Sequence, residues 1–278
     1  MAKKKLSVQD IIETKKNSKK FSMITVYDYQ MASIVDQSDI EMILVGDSLG
    51  MVILGLEGTT PVNIEEMEYH LKAVRRGAPN TFIVGDMSFM SYQVCKEDAI
   101  RNAGKLMKLG ADCVKMEGGF GIMDKIKAVT EIGIPVMAHI GVTPQTAAAF
   151  GGFKVQGKST AAAERLLKEA IAAEEAGAFS IVIECLPAQL NALINKTISI
   201  PIISTGSGAS ANGFNLNAYD MLGIFDSFKP KFVKQYAQMR KEIVDAFNAW
   251  NKDVTDGVYP SYDEEFHMKE EDLPKINK

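Results

Sequence analysis

Four apolar segments of this chain each end in an acidic residue. The segments are 42–47, 82–86, 112–117 and 179–184, and they end at Asp47, Asp86, Glu117 and Glu184. Short apolar segments that alternate with helical patterns are typical of parallel strands that are buried on both faces. If such strands close into a barrel, their carboxyl ends meet at one rim, where barrel enzymes place their catalytic groups. Four acids in this position predict a site for metal binding and acid–base chemistry.

Strand and helix patterns alternate along nearly the whole chain. Further strands are predicted at 21–26, 135–139, 200–204 and within 217–223, and helices at 28–37, 64–76, 96–109, 122–131, 159–176, 188–196 and 231–251. This alternation allows either a closed (β/α)8 barrel or an open doubly wound sheet. An open dinucleotide-binding sheet would carry a glycine-rich turn after its first strand, but residues 27–30 contain no glycine. We therefore predict an α/β protein with a single (β/α)8 TIM-type barrel domain over residues 1–278, including a polar tail from about residue 256.

The overall composition excludes several classes of protein. A formal net charge of −4 does not provide the basic field of a general nucleic-acid binder. No apolar stretch approaches the roughly 20 residues that span a bilayer. The basic start is followed by the polar segment 7–20, so we expect no export signal and a cytoplasmic location. Cys95, Cys113 and Cys185 are scattered without the spacing of a zinc site, which predicts buried free thiols.

Lys115 and Glu117 lie two residues apart on one predicted strand, so their side chains point to the same face. Near the mouth of a barrel, that face is the central cavity. Burying such groups for structure alone is costly unless they form a pair. We interpret Lys115 as a cationic anchor for an anionic substrate beside a metal ligand, Glu117. A purely structural Lys–Glu pair is the alternative.

Asp47 and Asp86 each follow a glycine at equivalent strand ends. Together with Glu117 they would supply hard oxygen ligands without thiolates or clustered histidines, a set that suits Mg²⁺ rather than zinc. The alternative is that each aspartate caps the helix that follows it, since Asp is a good N-cap residue. The equivalent positions of the two aspartates beside Glu117 favour the metal site.

His139 and Glu184 complete the predicted rim. His139 ends the fifth strand and is a candidate substrate-binding residue, although a lone histidine in an apolar segment is often a satisfied core residue. Glu184 ends the sixth strand as an isolated acid in an apolar wall, which suits a general base. Residues 205–208 are a candidate anion cradle or a plain glycine–serine turn, and residues 141–158 are a candidate lid or a disordered insertion.

Several longer motifs identify a resemblance. They are VGDSLGM at 45–51, His70 with AVRRGAP at 73–79, VKMEGG at 114–119, HIGVTPQ at 139–145, FGGFKVQG at 150–157 and ECLP at 184–187. With these motifs the chain resembles, over nearly its whole length, the ketopantoate (3-methyl-2-oxobutanoate) hydroxymethyltransferase family of pantothenate biosynthesis. That family is similar in fold to the phosphoenolpyruvate mutase and isocitrate lyase barrels, so the resemblance implies a barrel of that kind.

The resemblance also implies a reaction. By matching position it assigns Mg²⁺ ligands at Asp47, Asp86 and Glu117, contacts to the 2-oxo acid at Asp47, Ser48, Asp86 and Lys115, and a proton acceptor at Glu184. The implied reaction transfers a hydroxymethyl group from 5,10-methylenetetrahydrofolate, a cosubstrate, to 3-methyl-2-oxobutanoate through a Mg-stabilised enolate, giving 2-dehydropantoate. The family assembles as homo-oligomers, often decamers, so we expect small-molecule substrates and copies of the chain as partners, without nucleic acid or membrane.

The chain departs from the family pattern after the seventh strand. Residues 204–208 read STGSG where the family usually has GIGAG, residues 212–214 read NGF instead of DGQ, and Tyr219 replaces a usual histidine. These changes leave the implied metal and keto-acid positions intact. They fall on the folate side of the site or on oligomer contacts near it.

Two alternative functions remain open at the level of sequence. A Mg-dependent C–C lyase of the isocitrate lyase type would use similar chemistry, but it is expected to carry a catalytic cysteine in a Lys-Lys-Cys-Gly segment, which this chain lacks. A non-catalytic barrel that binds a keto acid is the second alternative, and only the altered 204–220 region favours it. A folate-dependent turnover assay would distinguish all three functions.

Overall fold

The computed structural model describes residues 3–152 and 154–274. Eight parallel strands form a closed barrel in which each strand pairs with the next in chain order and the last pairs with the first. The strands are β1 (Phe21–Thr25), β2 (Met42–Val45), β3 (Phe82–Asp86), β4 (Cys113–Glu117), β5 (Val136–Gly141), β6 (Ser180–Glu184), β7 (Ile202–Thr205) and β8 (Gly213–Asn217). The predicted (β/α)8 barrel is confirmed.

The helices lie between and after the strands. They are α1 (Val8–Asn17), α2 (Tyr29–Asp36), α3 (Leu49–Val52), α4 (Ile64–Gly77), α5 (Lys96–Lys108), α6 (Met123–Glu131), α7 (Thr160–Glu175), α8 (Ala188–Thr197), α9 (Ala218–Met221) and α10 (Met239–Thr255). Local sequence explains several of their starts. Asn63, for example, accepts a hydrogen bond from Glu66 N, and the Glu66 side chain accepts one from Asn63 N, which forms a capping box for α4.

Alternating strand residues form two apolar layers. The inward-pointing strand side chains form one buried cluster with Phe179, which directly precedes β6. They are Phe21, Met23, Met42, Leu44, Phe82, Val84, Cys113, Met137, Val182 and Ile203. The residues between them, such as Ile43 and Ile83, pack against the surrounding helices. Ile11 of α1 is fully buried and joins the inner cluster, and Asn212, which precedes β8, donates to Thr14 O. Helix α1 therefore closes the amino-terminal end of the barrel and leaves the carboxyl-terminal end for the site.

The prediction of the eighth strand within 217–223 is wrong. β8 spans Gly213–Asn217, and the residues directly after it form α9. β8 pairs with β1 from Phe21 opposite Gly213 to Thr25 opposite Asn217, and this pairing closes the barrel. Its mixture of asparagines and apolar residues is a weak strand signal, so closure of the sheet, rather than propensity, sets its position.

The predicted start of the C-terminal helix is also wrong, because α10 begins at Met239 and not near residue 231. The chain leading into α10 forms hydrogen bonds with the end of α9 and the residue after it: Tyr236 N donates to Met221 O at 2.8 Å, and Met239 N donates to Leu222 O at 2.9 Å. No residue of α10 is buried. The described chain after α10 consists of exposed loops and two short 3₁₀ turns.

Besides α9, two further helices, α1 and α3, were not predicted from the sequence. Helix α1 carries its own signal, since Ser7 and Asp10 form a capping box at its start. Helix α3 is a single turn directly after Asp47 and Ser48, between the strand predicted at 42–47 and the helix predicted at 64–76. Helix α3 therefore sets the direction of the chain immediately after the predicted site residues.

The described residues of the segment 141–158 form regular turns and contacts with the barrel. The segment forms 3₁₀ turns over Pro144–Phe150 and then returns to the barrel, where Gln156 N donates to Cys185 O at 3.1 Å. Phe153 and the side chain of Phe150 lie outside the described residues. The segment lies beside the carboxyl-terminal rim, and its role as a lid stays a prediction.

Two further expectations concern membranes and cysteines. Within residues 3–152 and 154–274, none of the helices combines the length and the apolar character that crossing a membrane requires. All three cysteines are free, but only Cys113 is buried, whereas Cys95 and Cys185 are half-buried. The expectation of buried thiols therefore holds only for Cys113.

Candidate active site

Side chains along each strand point alternately into and out of the barrel, and this alternation also builds a polar cluster at the carboxyl-terminal rim. On β3, Phe82 and Val84 point inward, and Asp86 continues the same phase. On β4 the inward phase carries Lys115 and Glu117, and Asp86 pairs in register with Lys115. These three charged residues are each at most 4% exposed. The barrel therefore places them together inside its mouth.

Lys115 lies at the centre of this cluster. Its Nζ is 2.6 Å from Asp86 Oδ1, 3.6 Å from Glu117 Oε2 and 3.5 Å from His139 Nδ1. The prediction that Lys115 and Glu117 share one face is confirmed. The nearest partner of the ammonium is nevertheless Asp86 on the neighbouring strand, so the group is a network across strands rather than an isolated Lys–Glu pair.

Asp47 joins the cluster from just beyond the end of β2. Its backbone N donates to Asp86 Oδ2 at 3.2 Å, and its Oδ2 accepts a hydrogen bond from Gln145 Nε2 at 2.9 Å. The backbone N of Gln145 also donates to Glu117 Oε1 at 2.8 Å. Gln145, in the segment that follows β5, therefore connects carboxylates that come from two other strand ends.

Neither Asp47 nor Asp86 caps a helix. The alternative interpretation of these two residues as helix N-caps is therefore wrong. Ser48 is the N-cap residue of α3, and its side chain makes no capping hydrogen bond. Helix α5 begins only at Lys96, with Cys95 as its N-cap residue. Asp47 and Asp86 instead direct their carboxylates into the cluster.

His139 and Glu184 extend the cluster towards the surface. His139 Nδ1 lies 3.4 Å from Glu117 Oε2, and its Nε2 lies 3.4 Å from Glu184 Oε2. In register, Glu184 pairs with Gly141, two residues beyond His139 on β5, so Glu184 sits nearer the mouth. Its side chain is 20% exposed, whereas that of His139 is 2% exposed. The expectation of an isolated Glu184 is wrong, because a histidine connects it to the buried charges.

The acids of the cluster respond differently to burial. Burial and the charges of Asp86 and Glu117 raise the pKa of Asp47 well above its usual range. Burial likewise raises the pKa of Asp86, although the charge of Lys115 opposes it. Burial also acts to raise the pKa of Glu117, but the hydrogen bond from His139 and the charge of Lys115 outweigh it, and this pKa is lowered.

The basic groups hold their protons. Burial acts to lower the pKa of Lys115, but the charges of Asp86, Glu117 and Asp47 outweigh it, and the pKa is raised. Burial and the charge of Lys115 act to lower the pKa of His139, yet its hydrogen bonds to Glu117 and Glu184 raise that pKa to about 9. The excess of acids over permanent cations makes the cluster a favourable place for positive charge.

The donor set fits a divalent cation, although the side chains are not arranged around one. Within the described residues, no three His, Cys, Asp or Glu side chains converge in the geometry of a metal site. The Lys115 ammonium lies between Asp86 and Glu117 instead. Asp47, Asp86 and Glu117 nevertheless bring buried carboxylate oxygens together at one place, since each of these residues is at most 3% exposed. Carboxylate oxygens suit Mg²⁺, and the assignment to Asp47, Asp86 and Glu117 stays a prediction.

Ser48 lies at the edge of the cluster, next to Asp47 in the chain. Its Oγ is 2.8 Å from the hydroxyl of Tyr27, which also accepts a hydrogen bond from Asn217 Nδ2 at 2.5 Å. The backbone at Gly46 lies close to the Ser48 side chain, since a Cβ at Gly46 would be only 3.1 Å from Ser48 Oγ. These contacts hold Ser48 beside the site, and its role in substrate binding stays a prediction.

Sequence reasoning missed two residues of the cluster, Gln145 and Tyr92. Tyr92 is fully buried, and its hydroxyl lies 2.7 Å from Glu117 O and 2.9 Å from Gln145 Oε1. Neither residue carries a charge at neutral pH, so a search for ionisable groups at strand ends passes over both. The one signal for Gln145 was its place at the end of the motif HIGVTPQ.

The glycine–serine turn after β7 forms hydrogen bonds with neighbouring parts of the protein. Ser207 is fully buried, and its Oγ donates to Ile183 O at 2.9 Å and accepts from Leu186 N at 3.0 Å. Its backbone N donates to Ser204 Oγ at 3.1 Å. These bonds favour the plain turn over the anion cradle, and they brace the segment that carries Glu184.

Solved structures of low sequence identity share the barrel architecture of this chain. A phosphonopyruvate hydrolase superposes with a TM-score of 0.61 at 12% identity, covering 98% of this chain and 92% of that chain. A 2,3-dimethylmalate lyase, described as a member of the phosphoenolpyruvate mutase/isocitrate lyase superfamily, gives a TM-score of 0.58 at 13% identity, covering 92% of this chain and 90% of that chain. These similarities confirm the predicted kind of barrel.

Sequence similarity is much closer and covers almost the whole chain. The chain is 54% identical to the 3-methyl-2-oxobutanoate hydroxymethyltransferase of Heliobacterium modesticaldum, over 96% of this chain and 98% of that protein. It is 51% identical to the enzyme of the same name from Enterococcus faecalis, over 95% and 96%. The family model for ketopantoate hydroxymethyltransferase matches residues 5–262. The chain therefore belongs to the ketopantoate hydroxymethyltransferase family and is an enzyme of the hydroxymethyltransferase class.

Proposed function

We propose that this enzyme transfers the hydroxymethyl group of 5,10-methylenetetrahydrofolate to 3-methyl-2-oxobutanoate, giving 2-dehydropantoate for pantothenate biosynthesis. The observation that carries the proposal is the continuous chain of contacts from Lys115 through His139 to Glu184 at the mouth of the barrel. The names of relatives about 50% identical state the same acceptor. A cytoplasmic location is part of the proposal and rests on the sequence alone.

In this proposal Lys115 binds the carboxylate of the keto acid. Its ammonium is buried and its pKa is raised by neighbouring acids, so it stays charged at neutral pH. A fixed charge in a site that excludes water stabilises an anion more strongly than it would in solution. Lys115 therefore also offsets the negative charge that develops on the substrate when C3 loses a proton.

Glu184 is the proposed proton acceptor at C3 of the keto acid. Of the acids in the cluster it is the most exposed, so a substrate at the barrel mouth can reach it. His139, 3.4 Å away, orients its carboxylate from below. Because His139 also contacts Glu117, the position of the base is coupled to the buried charges.

Asp47, Asp86 and Glu117 are the proposed ligands of Mg²⁺. When bound, Mg²⁺ would act as a Lewis acid that stabilises negative charge on the keto oxygen. Gln145 holds two of these carboxylates through its Nε2 and its backbone N. Asp86 contacts Lys115 in the described structure, so we expect the cation and the ammonium to share this carboxylate.

Turnover of purified protein tests the proposal. With keto acid, Mg²⁺ and 5,10-methylenetetrahydrofolate, we expect tetrahydrofolate and 2-dehydropantoate to form in equal amounts. With keto acid and Mg²⁺ alone, the C3 hydrogen should exchange with solvent deuterium, because proton removal precedes carbon transfer. Cleavage of a C–C bond without folate would indicate a lyase instead, and binding without exchange or turnover would indicate a non-catalytic barrel.

We also infer that the chain assembles into a homo-oligomer, with a decamer as the state that the resemblance implies. Helix α10 has no buried residue, and an apolar stripe runs along it at helical spacing: Ile243, Phe247, Trp250 and Val254. Phe247 is 66% and Trp250 57% exposed, which is unfavourable unless another copy of the chain covers them. Light scattering should report an oligomer that Phe247→Ser with Trp250→Ser dissociates, and a monomeric wild type would contradict the inference.

A further inference from the structure

A cavity of about 450 Å³ lies beside the catalytic cluster, between the end of β5 and α7. Its walls include Gly118, Gly119 and Gly141, together with residues of α7 and of the segment 141–158. Gly118 directly follows Glu117, and Gly141 pairs in register with Glu184. The strand ends that carry the catalytic cluster therefore also form one side of this cavity.

Glu169 of α7 is the buried acid of the cavity, with 5% of its surface exposed. Its Oε1 accepts a hydrogen bond from Arg165 Nε at 2.9 Å, and within the described residues Arg165 is the only donor to this carboxylate. The Arg165 side chain is itself 70% exposed. Because a Cβ at Gly119 would overlap the Glu169 carboxylate, the glycine of the VKMEGG motif is what allows the acid to lie in the wall.

The chemistry of these walls selects a particular kind of ligand. A buried carboxylate with an oxygen to spare repels an anionic keto acid, and it favours a ligand that presents N–H donors. Glycine walls leave room for a flat ring, and the volume lies in the range of about 300–1,000 Å³ that is usual for small-molecule sites. Of the two proposed substrates, only folate has such a group, since its pterin ring presents N3–H beside the 2-amino group.

We propose that this cavity binds the pterin ring of the folate donor, and that Glu169 accepts hydrogen bonds from pterin N3–H and the 2-amino group. This inference rests on the proposed function and adds the site of the second substrate. It also gives the segment 141–158 a defined task, because Thr146, Ala149 and Gln156 of that segment line the same cavity.

The first test uses the wild-type protein with Mg²⁺ and keto acid present. Equilibrium binding of tetrahydrofolate is compared with binding of an analogue in which a methyl group replaces the 2-amino group. We expect the analogue to bind roughly 10- to 150-fold more weakly, the usual effect of losing a hydrogen bond to a charged group. Equal affinities would overturn the proposal without any variant having been made.

The second test uses Glu169→Gln, which removes the charge with little change of size. Its KM for 5,10-methylenetetrahydrofolate should rise roughly 10- to 150-fold. Exchange of the keto-acid C3 hydrogen with solvent, which needs no folate, should stay at the wild-type rate. Glu175→Gln is the matched control, because Glu175 is exposed on the same helix and does not line the cavity.

The outcomes separate this inference from the proposed function. An unchanged KM in Glu169→Gln overturns the pterin site. Loss of exchange together with turnover in that variant also overturns it, because Glu169 would then support the barrel as a whole. Absence of exchange in the wild-type protein refutes the proposed function instead, whatever the variant does.

Discussion

Replacing Lys115 with methionine tests the electrostatics of the buried charged cluster at the mouth of the barrel. Methionine keeps an unbranched side chain of similar length but carries no charge. In the wild-type protein the ammonium lies 2.6 Å from Asp86 Oδ1 and 3.6 Å from Glu117 Oε2, and all three groups are buried. Lys115→Met therefore leaves two buried carboxylates without their shared cation.

The expected loss of stability follows from this geometry. Removing one partner of a buried ion pair typically costs about 3–5 kcal/mol, because the remaining charge is uncompensated. We expect the free energy of unfolding of the metal-free variant to fall by that amount. Keto-acid binding should weaken by about 1.5–3 kcal/mol, as for the loss of a charge-assisted contact.

The stability lost in Lys115→Met should also depend on pH, and the pKa of Asp86 sets the direction of this dependence. Burial already raises the pKa of Asp86, and removing Lys115 raises it further. Between the pKa of Asp86 in the unfolded chain and its higher pKa in the folded variant, the folded variant binds a proton that the unfolded chain has released. The stability of the variant therefore falls as the pH rises through this range. The slope is about 1.4 kcal/mol per pH unit for one proton. The deficit relative to wild type should therefore be smaller at pH 5 than at pH 8.

Urea unfolding of both proteins in chelator at these two pH values measures the effect. Lys127→Met is the matched control, because Lys127 forms an exposed pair with Glu131 at 3.8 Å that should contribute only about 0.3–0.5 kcal/mol. A Lys115→Met variant as stable as this control would refute the reasoning. A deficit of equal size at both pH values would show that the carboxylates are not the groups left unpaired.

Three further predictions concern the other groups of the cluster. Glu184→Gln should slow solvent exchange at C3 by about 10²–10⁴-fold while substrate still binds, and normal exchange would show that Glu184 is not the base. Asp86→Ala should abolish activity and leave the barrel folded by circular dichroism, whereas full activity in excess chelator would contradict the metal site. The pKa of His139 is raised from 6.5 to about 9, so its contribution to stability is complete below pH 6.5 and is lost as the pH rises through 9. His139→Asn should flatten this part of the stability profile of the metal-free protein, and an unchanged profile in urea unfolding would contradict the assignment.

Much of the barrel could be predicted because its signals are local. The apolar segment 82–86 and the helix that begins near residue 64 match β3 and α4, since strand periodicity and a capping box depend only on neighbouring residues. β8 could not be placed in this way. Its asparagine-containing segment Gly213–Asn217 becomes a strand because β1 and β7 supply hydrogen-bonding partners on both sides.

The candidate site shows the same division between local and distant information. The positions of Asp86, Lys115 and Glu117 at strand ends were predictable, because side chains alternate along a strand and the inward phase continues to its end. That Lys115 pairs most closely with Asp86, and not with Glu117, was not predictable from strand phase. The pairing depends on the register of β3 against β4, which places Asp86 opposite Lys115.

By itself, the sequence determined the barrel and the acids at its rim. The alternation of strands and helices and the lengths of the strands depend only on residues that are close together in the chain. Only the tertiary structure decided which polar groups share hydrogen bonds. Gln145 reaches Asp47 across 98 positions of the chain, and Glu169 on α7 lies against Gly119. Such contacts carry no periodic signal, since they arise where loops and helices from distant parts of the chain meet above a closed sheet. Burial makes each of these contacts important for stability, because a buried polar group that loses its partner cannot form a hydrogen bond with water instead.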